Sequence, residues 1–230
     1  MRDCNICIGT GWYADHKGHN NPQRSALQIS PEWFSKYWVP NILKYINPMQ
    51  FHFYLSNCEI LPSGIYGMER TQIVMGHVQA VKMAHSYDCH AAIMTGAMYA
   101  WCNNLDYLFI EQDCMVKGLD KILDFAKDKD LCYGFGEYSY LPGWAEYSLI
   151  YIDHSDLIGF ISNFIHSPII NMIIPDWPEI EFQRLFGYDF TAWPFGYGRK
   201  RPIDFNQPMC YAQQLTDNEI VKFMEADANP

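Results

Sequence analysis

Glu111-Gln112-Asp113 follows directly on the unbroken apolar run Tyr107-Leu108-Phe109-Ile110, and Gly118 then opens a helical pattern at Leu119. A short apolar run bounded by polar residues predicts a strand buried on both faces of a parallel sheet. Acids at its carboxyl end would face the crevice where open α/β sheets bind ligands. If the strand's alternation continues, Glu111 and Asp113 point the same way and Gln112 the other. Paired carboxylates suit Mg2+ or Mn2+, which complete their shells with water and substrate phosphates. The structural alternative is that Asp113 caps a turn and Glu111 is solvated.

Two other groupings carry charge that chemistry can use. Gly196-Tyr197-Gly198-Arg199-Lys200-Arg201 is the one basic cluster, and Arg199 or Arg201 would match phosphate oxygens in a fork, or simply sit in a solvated loop. Asp176-Trp177-Pro178-Glu179 has an acid at a helix N-cap, proline in the first turn and a glutamate three residues on. Glu179, then Asp176, are therefore candidates for a general base as well as for capping, with Glu181 and Glu146 as further acids of the same half. Cys4 and Cys7 form Cys-x-x-Cys, but in a strand they face opposite sides. His77, His85 and His90 have no partners at zinc spacing.

The elements that must position these groups alternate along the chain. Strands are expected at 4–10, 51–55, 72–75, 107–110, 131–135 and 148–152. Helices are expected from Ser30 to Ile46 with a break at Pro40, from Cys89 to Cys102 behind an Asp88 cap, over 119–127, from Asp153 to about Ile165, and over 216–224. Alternating strands and helices imply a parallel or mixed sheet covered on both faces. Thr10, Gly11 and Trp12 close the first strand and Asn57 the second, on the same rim as Glu111, while 134–144 reads as an aromatic loop over the cleft.

Length and composition fit one globular domain: 230 residues, 49% hydrophobic and 16% aromatic. A formal charge of −10 argues against a nucleic-acid or anionic-membrane surface. The start of the chain reads without a signal peptide, no window reads as a membrane span, and the eight dispersed cysteines read as reduced, so a cytoplasmic protein is expected.

The order of these features resembles the GT-A glycosyltransferases, the nucleotide-diphospho-sugar transferase fold. In that family the first strand and its loop hold the nucleotide. A helix then leads into a strand ending in an Asp-x-Asp-type motif that carries a divalent metal on the diphosphate, and a later acid deprotonates the acceptor in inverting members. Helix 89–102, strand 107–110 and Glu111-Gln112-Asp113 are similar to the metal-motif region, and 148–181 to the acceptor half. The resemblance implies an α/β, GT-A-like (Rossmann-like), mostly parallel central sheet with helices on both faces. It implies one domain over 1–230, the first half to about 118 binding nucleotide sugar and the remainder the acceptor. It further implies Mn2+ or Mg2+ on Asp113 and Glu111, and donor contacts from Thr10, Gly11, Trp12, Asn57, Glu111, Gln112, Arg199 and Arg201. Transfer to a glycan or glycoconjugate hydroxyl would use Glu179 or Asp176 as base. Departures are a Glu at the first motif position, Asn57 where many relatives carry Asp, and no late histidine. A nucleotidyltransferase of the same fold and a non-catalytic carbohydrate-binding protein are the alternatives.

Overall fold

A computed structural model describes residues 5–11, 25–30, 32–46, 51–58, 71–75, 85–134, 145–166, 178–186 and 189–228. Its centre is a seven-stranded sheet ordered β3-β2-β1-β4-β7-β6-β8. The strands are β1 (Ile6–Gly11), β2 (Phe51–Cys58), β3 (Thr71–Met75), β4 (Asp106–Ile110), β6 (Leu131–Gly134), β7 (Glu146–Ile152) and β8 (Thr191–Ala192). A second sheet pairs β5 (Cys114–Lys117) with β9 (Cys210–Gln213). In the large sheet β3, β2, β1, β4, β6 and β8 share one direction, and β7 alone runs against its neighbours. The expected mostly parallel α/β sheet is thus the one observed.

Strand alternation divides the core in two. Ile6 and Ile8 of β1, Leu108 and Ile110 of β4, and Leu149 and Tyr151 of β7 pack on one face, with Trp33, Phe34, Trp38, Ile122, Ile220 and Phe223. That face is covered by α1 (Val39–Leu43) and the helical turns before it, α3 (Leu119–Ala126) and α6 (Asp217–Ala228). Cys7, Tyr107, Phe109, Ile150 and Ile152 point the other way, against α2 (His85–Cys102), α4 (Leu157–Ile165) and α5 (Pro178–Phe186). Phe160, Phe164, Phe182 and Phe186 interleave beneath α4 and α5, and Phe160 stacks on Phe186 at 4.4 Å between ring centroids. α2 lies close on the sheet because Gly9 and Gly96 leave the space that the Tyr107 ring fills.

Three expectations need correcting. The helix from Ser30 is not one α-helix: a π-helical turn, Phe34–Trp38, precedes α1, and Pro40, lacking an N–H, sits in the first turn of α1. β2 continues to Cys58, so Asn57 lies inside the strand. β5 and β9 were not expected. Residues 135–144, the predicted aromatic loop, and Cys4 of the Cys-x-x-Cys pair lie outside the described residues. Cys7 is fully buried, and that burial pushes its thiol well above its usual range. No described helix is long and apolar enough to cross a membrane.

Candidate functional site

The strand order reverses between β1 and β4: the chain moves outward from β1 through β2 to β3, then returns to lay β4 on the other side of β1. A crevice outside the carboxyl ends of the strands opens at such a reversal. Gly11 pairs with Ser56 on β2, and Gly9 with Phe109 on β4, so β1 ends beside the carboxyl end of β4, where Glu111 follows. Asn57 comes one residue past Ser56 on the same rim. Because β7 is antiparallel, it enters here with Glu146, which pairs with Gly134 at the end of β6. Thr10 is fully buried and its hydroxyl donates to the Gly11 carbonyl at 3.1 Å. Trp12 lies outside the described residues.

The β4–β7 register runs to Ile110 opposite Leu149, the Glu111 N–H still donates to the Ser148 carbonyl at 2.9 Å, and the chain must then reverse to start β5 at Cys114. Glu111-Gln112-Asp113 is accordingly a turn and not an extended run: the Cys114 N–H donates to the Glu111 carbonyl at 2.9 Å. The strand alternation expected to align the two acids therefore does not extend through them. What fixes them is a set of long-range donors to the three carbonyls. The Trp38 indole donates to Glu111 at 3.3 Å, the Trp33 indole to Gln112 at 2.7 Å, and the Gln28 amide to Asp113 at 2.9 Å. The Gln112 amide donates to the Gln28 carbonyl at 3.2 Å, towards the helical turn before α1. Asp113 is 7% exposed and Glu111 half-buried. Burial first, then the field of Asp113, Glu111 and Glu146, holds the Cys114 thiol well above its usual range, so three carboxylates act on one buried point.

Positive charge reaches this rim from the carboxyl-terminal part of the chain. Gln213, at the end of β9, is fully buried, and its amide orientation is assigned from its neighbours: donors meet acceptors when the nitrogen lies 2.8 Å from Glu111 Oε2 and the oxygen 2.6 Å from Arg199 Nε and 3.2 Å from Nη2. Its nitrogen also meets the Ser148 hydroxyl. Glu146, 3% exposed, accepts from the Ser148 N–H at 3.1 Å and from its hydroxyl. The two arginines separate in role. Arg199 faces Gln213 and the rim, whereas Arg201 holds Glu219 at 2.6 Å and donates to the carbonyls of Lys200, Gln213 and Gln214, tying the basic loop to β9 and α6. Glu219 in turn accepts from the Thr216 N–H at 2.9 Å and caps α6.

Glu179 is the second residue of α5, and Asp176 lies outside the described residues. Phe182, less than one turn on, meets Tyr147 at 6.0 Å between ring centroids, so α5 starts near the end of β7 that enters the rim. Gln213, Ser148, Trp33 and Trp38 were not recognised from sequence. For Gln213 the only signal was a polar residue ending the apolar run Met209-Cys210-Tyr211-Ala212, the same signature that marked Glu111.

Among the described residues no group of three or more His, Cys, Asp or Glu side chains is arranged to hold a metal ion. The donors present, a buried Asp113 and a half-buried Glu111, suit a hard cation that takes most of its oxygens from a ligand and water, not an all-protein cage.

No protein-family model matches the chain, and no curated protein sequence matches it. Among solved structures, a glycosyltransferase involved in the glycosylation of the major capsid of PBCV-1 aligns with a TM-score of 0.46 and 13% identity, over 81% of this chain and 77% of its own. A nucleoside-diphosphate-sugar pyrophosphorylase from Vibrio cholerae RC9 aligns with a TM-score of 0.44 and 10% identity, over 96% of this chain and 99% of its own.

Proposed function

We propose that this chain is a glycosyltransferase that binds a nucleotide-diphosphate sugar at the rim of β1 and β4 and passes the sugar to a hydroxyl of a glycan or glycoconjugate. The supporting observation is the meeting, at the strand-order reversal, of an acidic turn with an arginine bridged to it by Gln213. Leaving diphosphate carries the charge that must be neutralised in such a transfer, and an arginine and a cation-holding acid pair supply the two means of doing so.

Asp113, with Glu111, would hold Mn2+ or Mg2+ against the diphosphate; when bound, that cation supplies Lewis acidity and a template for the phosphate oxygens. Arg199 would bind phosphate oxygens as well. Thr10 and Gly11 in the last residues of β1, Trp12 after them in the sequence, and Asn57 next to the end of β2 would contribute to the nucleotide end of the pocket. Glu179 takes the acceptor proton, with Asp176 as the second candidate; Glu146, buried and hydrogen-bonded to Ser148, is placed to hold that part of the rim. Residues to about 118 form the donor half and the remainder the acceptor half of one domain.

Thermal unfolding of the protein with UDP-, GDP- and dTDP-sugars, with and without Mn2+, tests this reading. One donor at about a hundred times its Kd should raise Tm by roughly 5–10 °C, and only with the cation present. The absence of a shift with every donor would count against the transferase. Release of pyrophosphate from a nucleoside triphosphate and a sugar phosphate would point to the nucleotidyltransferase instead.

A further inference from the structure

We propose that Gln213 is a positioning residue: its uncharged amide links the Glu111 carboxylate to the Arg199 guanidinium and fixes both side chains toward one diphosphate. This rests on the transferase reading above and assigns β9 a part in it. Gln213 is fully buried, and donors meet acceptors when its amide nitrogen faces Glu111 Oε2, at 2.8 Å, and its oxygen faces Arg199 Nε, at 2.6 Å. Its backbone is fixed as well. Gln213 pairs with Cys114, the residue after the acidic turn, and its N–H donates to the Gly198 carbonyl, next to Arg199, at 2.9 Å. One residue thus joins the acidic turn, the basic loop and Ser148 of β7.

The amide suits this place for a reason of charge. A buried amide donates to the acid and accepts from the base without adding charge of its own. Leucine would remove both bonds. Glutamate would keep the size and the acceptor but remove the donor and set a second carboxylate beside Glu111.

The test is calorimetric titration of the full chain with UDP, GDP and dTDP in Mn2+, and with the corresponding nucleosides. For the diphosphate that the unaltered protein binds, Gln213→Leu should weaken affinity about tenfold or more while changing nucleoside affinity by less than about twofold. In an Arg199→Ala background the same change should add less than about twofold, because the bridge has already lost one end. Gln213→Glu, the nearer isostere, should also weaken the diphosphate selectively, and it carries the test if Gln213→Leu does not fold. Unchanged diphosphate affinity, equal weakening of diphosphate and nucleoside, or full additivity with Arg199→Ala would overturn the positioning role alone. If the unaltered protein binds none of the three diphosphates, the donor site itself falls and the bridge with it.

Discussion

The indole N–H of Trp33 meets the Gln112 carbonyl at 2.7 Å, across 79 residues of sequence, and so ties the helical turns before α1 to the tip of the acidic turn. Trp33 is fully buried. Trp33→Phe keeps most of the ring but leaves that carbonyl without its indole donor, which should cost roughly 1–3 kcal/mol. A urea unfolding midpoint lowered by that free energy divided by the slope, with the slope unchanged, is the expected result; an unmoved midpoint would show that the turn is held without it.

Gly118 joins β5 to α3 at φ 69°, and a Cβ there would press on the Pro208 carbonyl. Both the left-handed backbone and a contact with a main-chain atom act against any other residue. Gly118→Ala should destabilise the fold by at least about 2 kcal/mol in denaturant unfolding. Stability within experimental error of the unaltered protein would contradict this local picture.

Asp106, at the start of β4, titrates above the usual aspartate range, chiefly through burial, with Asp153 adding to the shift and the bonds from the His154 N–H and the Tyr151 hydroxyl opposing it. A raised folded value means that the native state binds the proton more tightly than the unfolded chain. Stability is therefore lost as pH rises from the unfolded value through the folded one, and the deficit is constant above that window. Asp106→Asn should raise Tm relative to the unaltered protein near pH 7, and the gain should shrink towards zero by about pH 3. A gain that does not depend on pH would exclude this cause.

Glu179→Gln should leave nucleotide-sugar binding intact and lower kcat by about a hundredfold or more if that side chain takes the acceptor proton. Initial rates at saturating donor decide it. Unchanged kcat would move the base to Asp176 or to another acid of the acceptor half.

Much of the fold was legible because the signals were local. Tyr107 to Ile110 is apolar without a break and forms the centre of β4; Asp153 caps the turn that leads into α4, its carboxylate accepting from the Ser155 N–H at 2.9 Å. Thr216-x-x-Glu219 marks the start of α6 as a capping box does. The rest depends on distant partners. Cys114 to Lys117 and Cys210 to Gln213 are four-residue segments that become strands only because they pair with each other, Lys117 with Cys210 and Cys114 with Gln213. The candidate site divides in the same way. Glu111 and Asp113 were visible as acids at a strand end, but strand periodicity could not show that the chain turns there. The distinction between Arg199 and Arg201 was also hidden, since it is made by Gln213 and Glu219 and by no feature of the basic run itself.

Calorimetric titration of UDP, GDP and dTDP into the unaltered protein and into Asp113→Ala, each with and without Mn2+, bears most directly on whether the acidic turn and a cation hold a nucleoside diphosphate. The expected result is that one diphosphate binds the unaltered protein tightly only with Mn2+, and that Asp113→Ala removes the cation-dependent part, a loss of about tenfold or more, while retaining its melting temperature. Equal affinity of the two proteins in Mn2+, or binding indifferent to the cation, would contradict the donor site described for Glu111, Asp113 and Arg199.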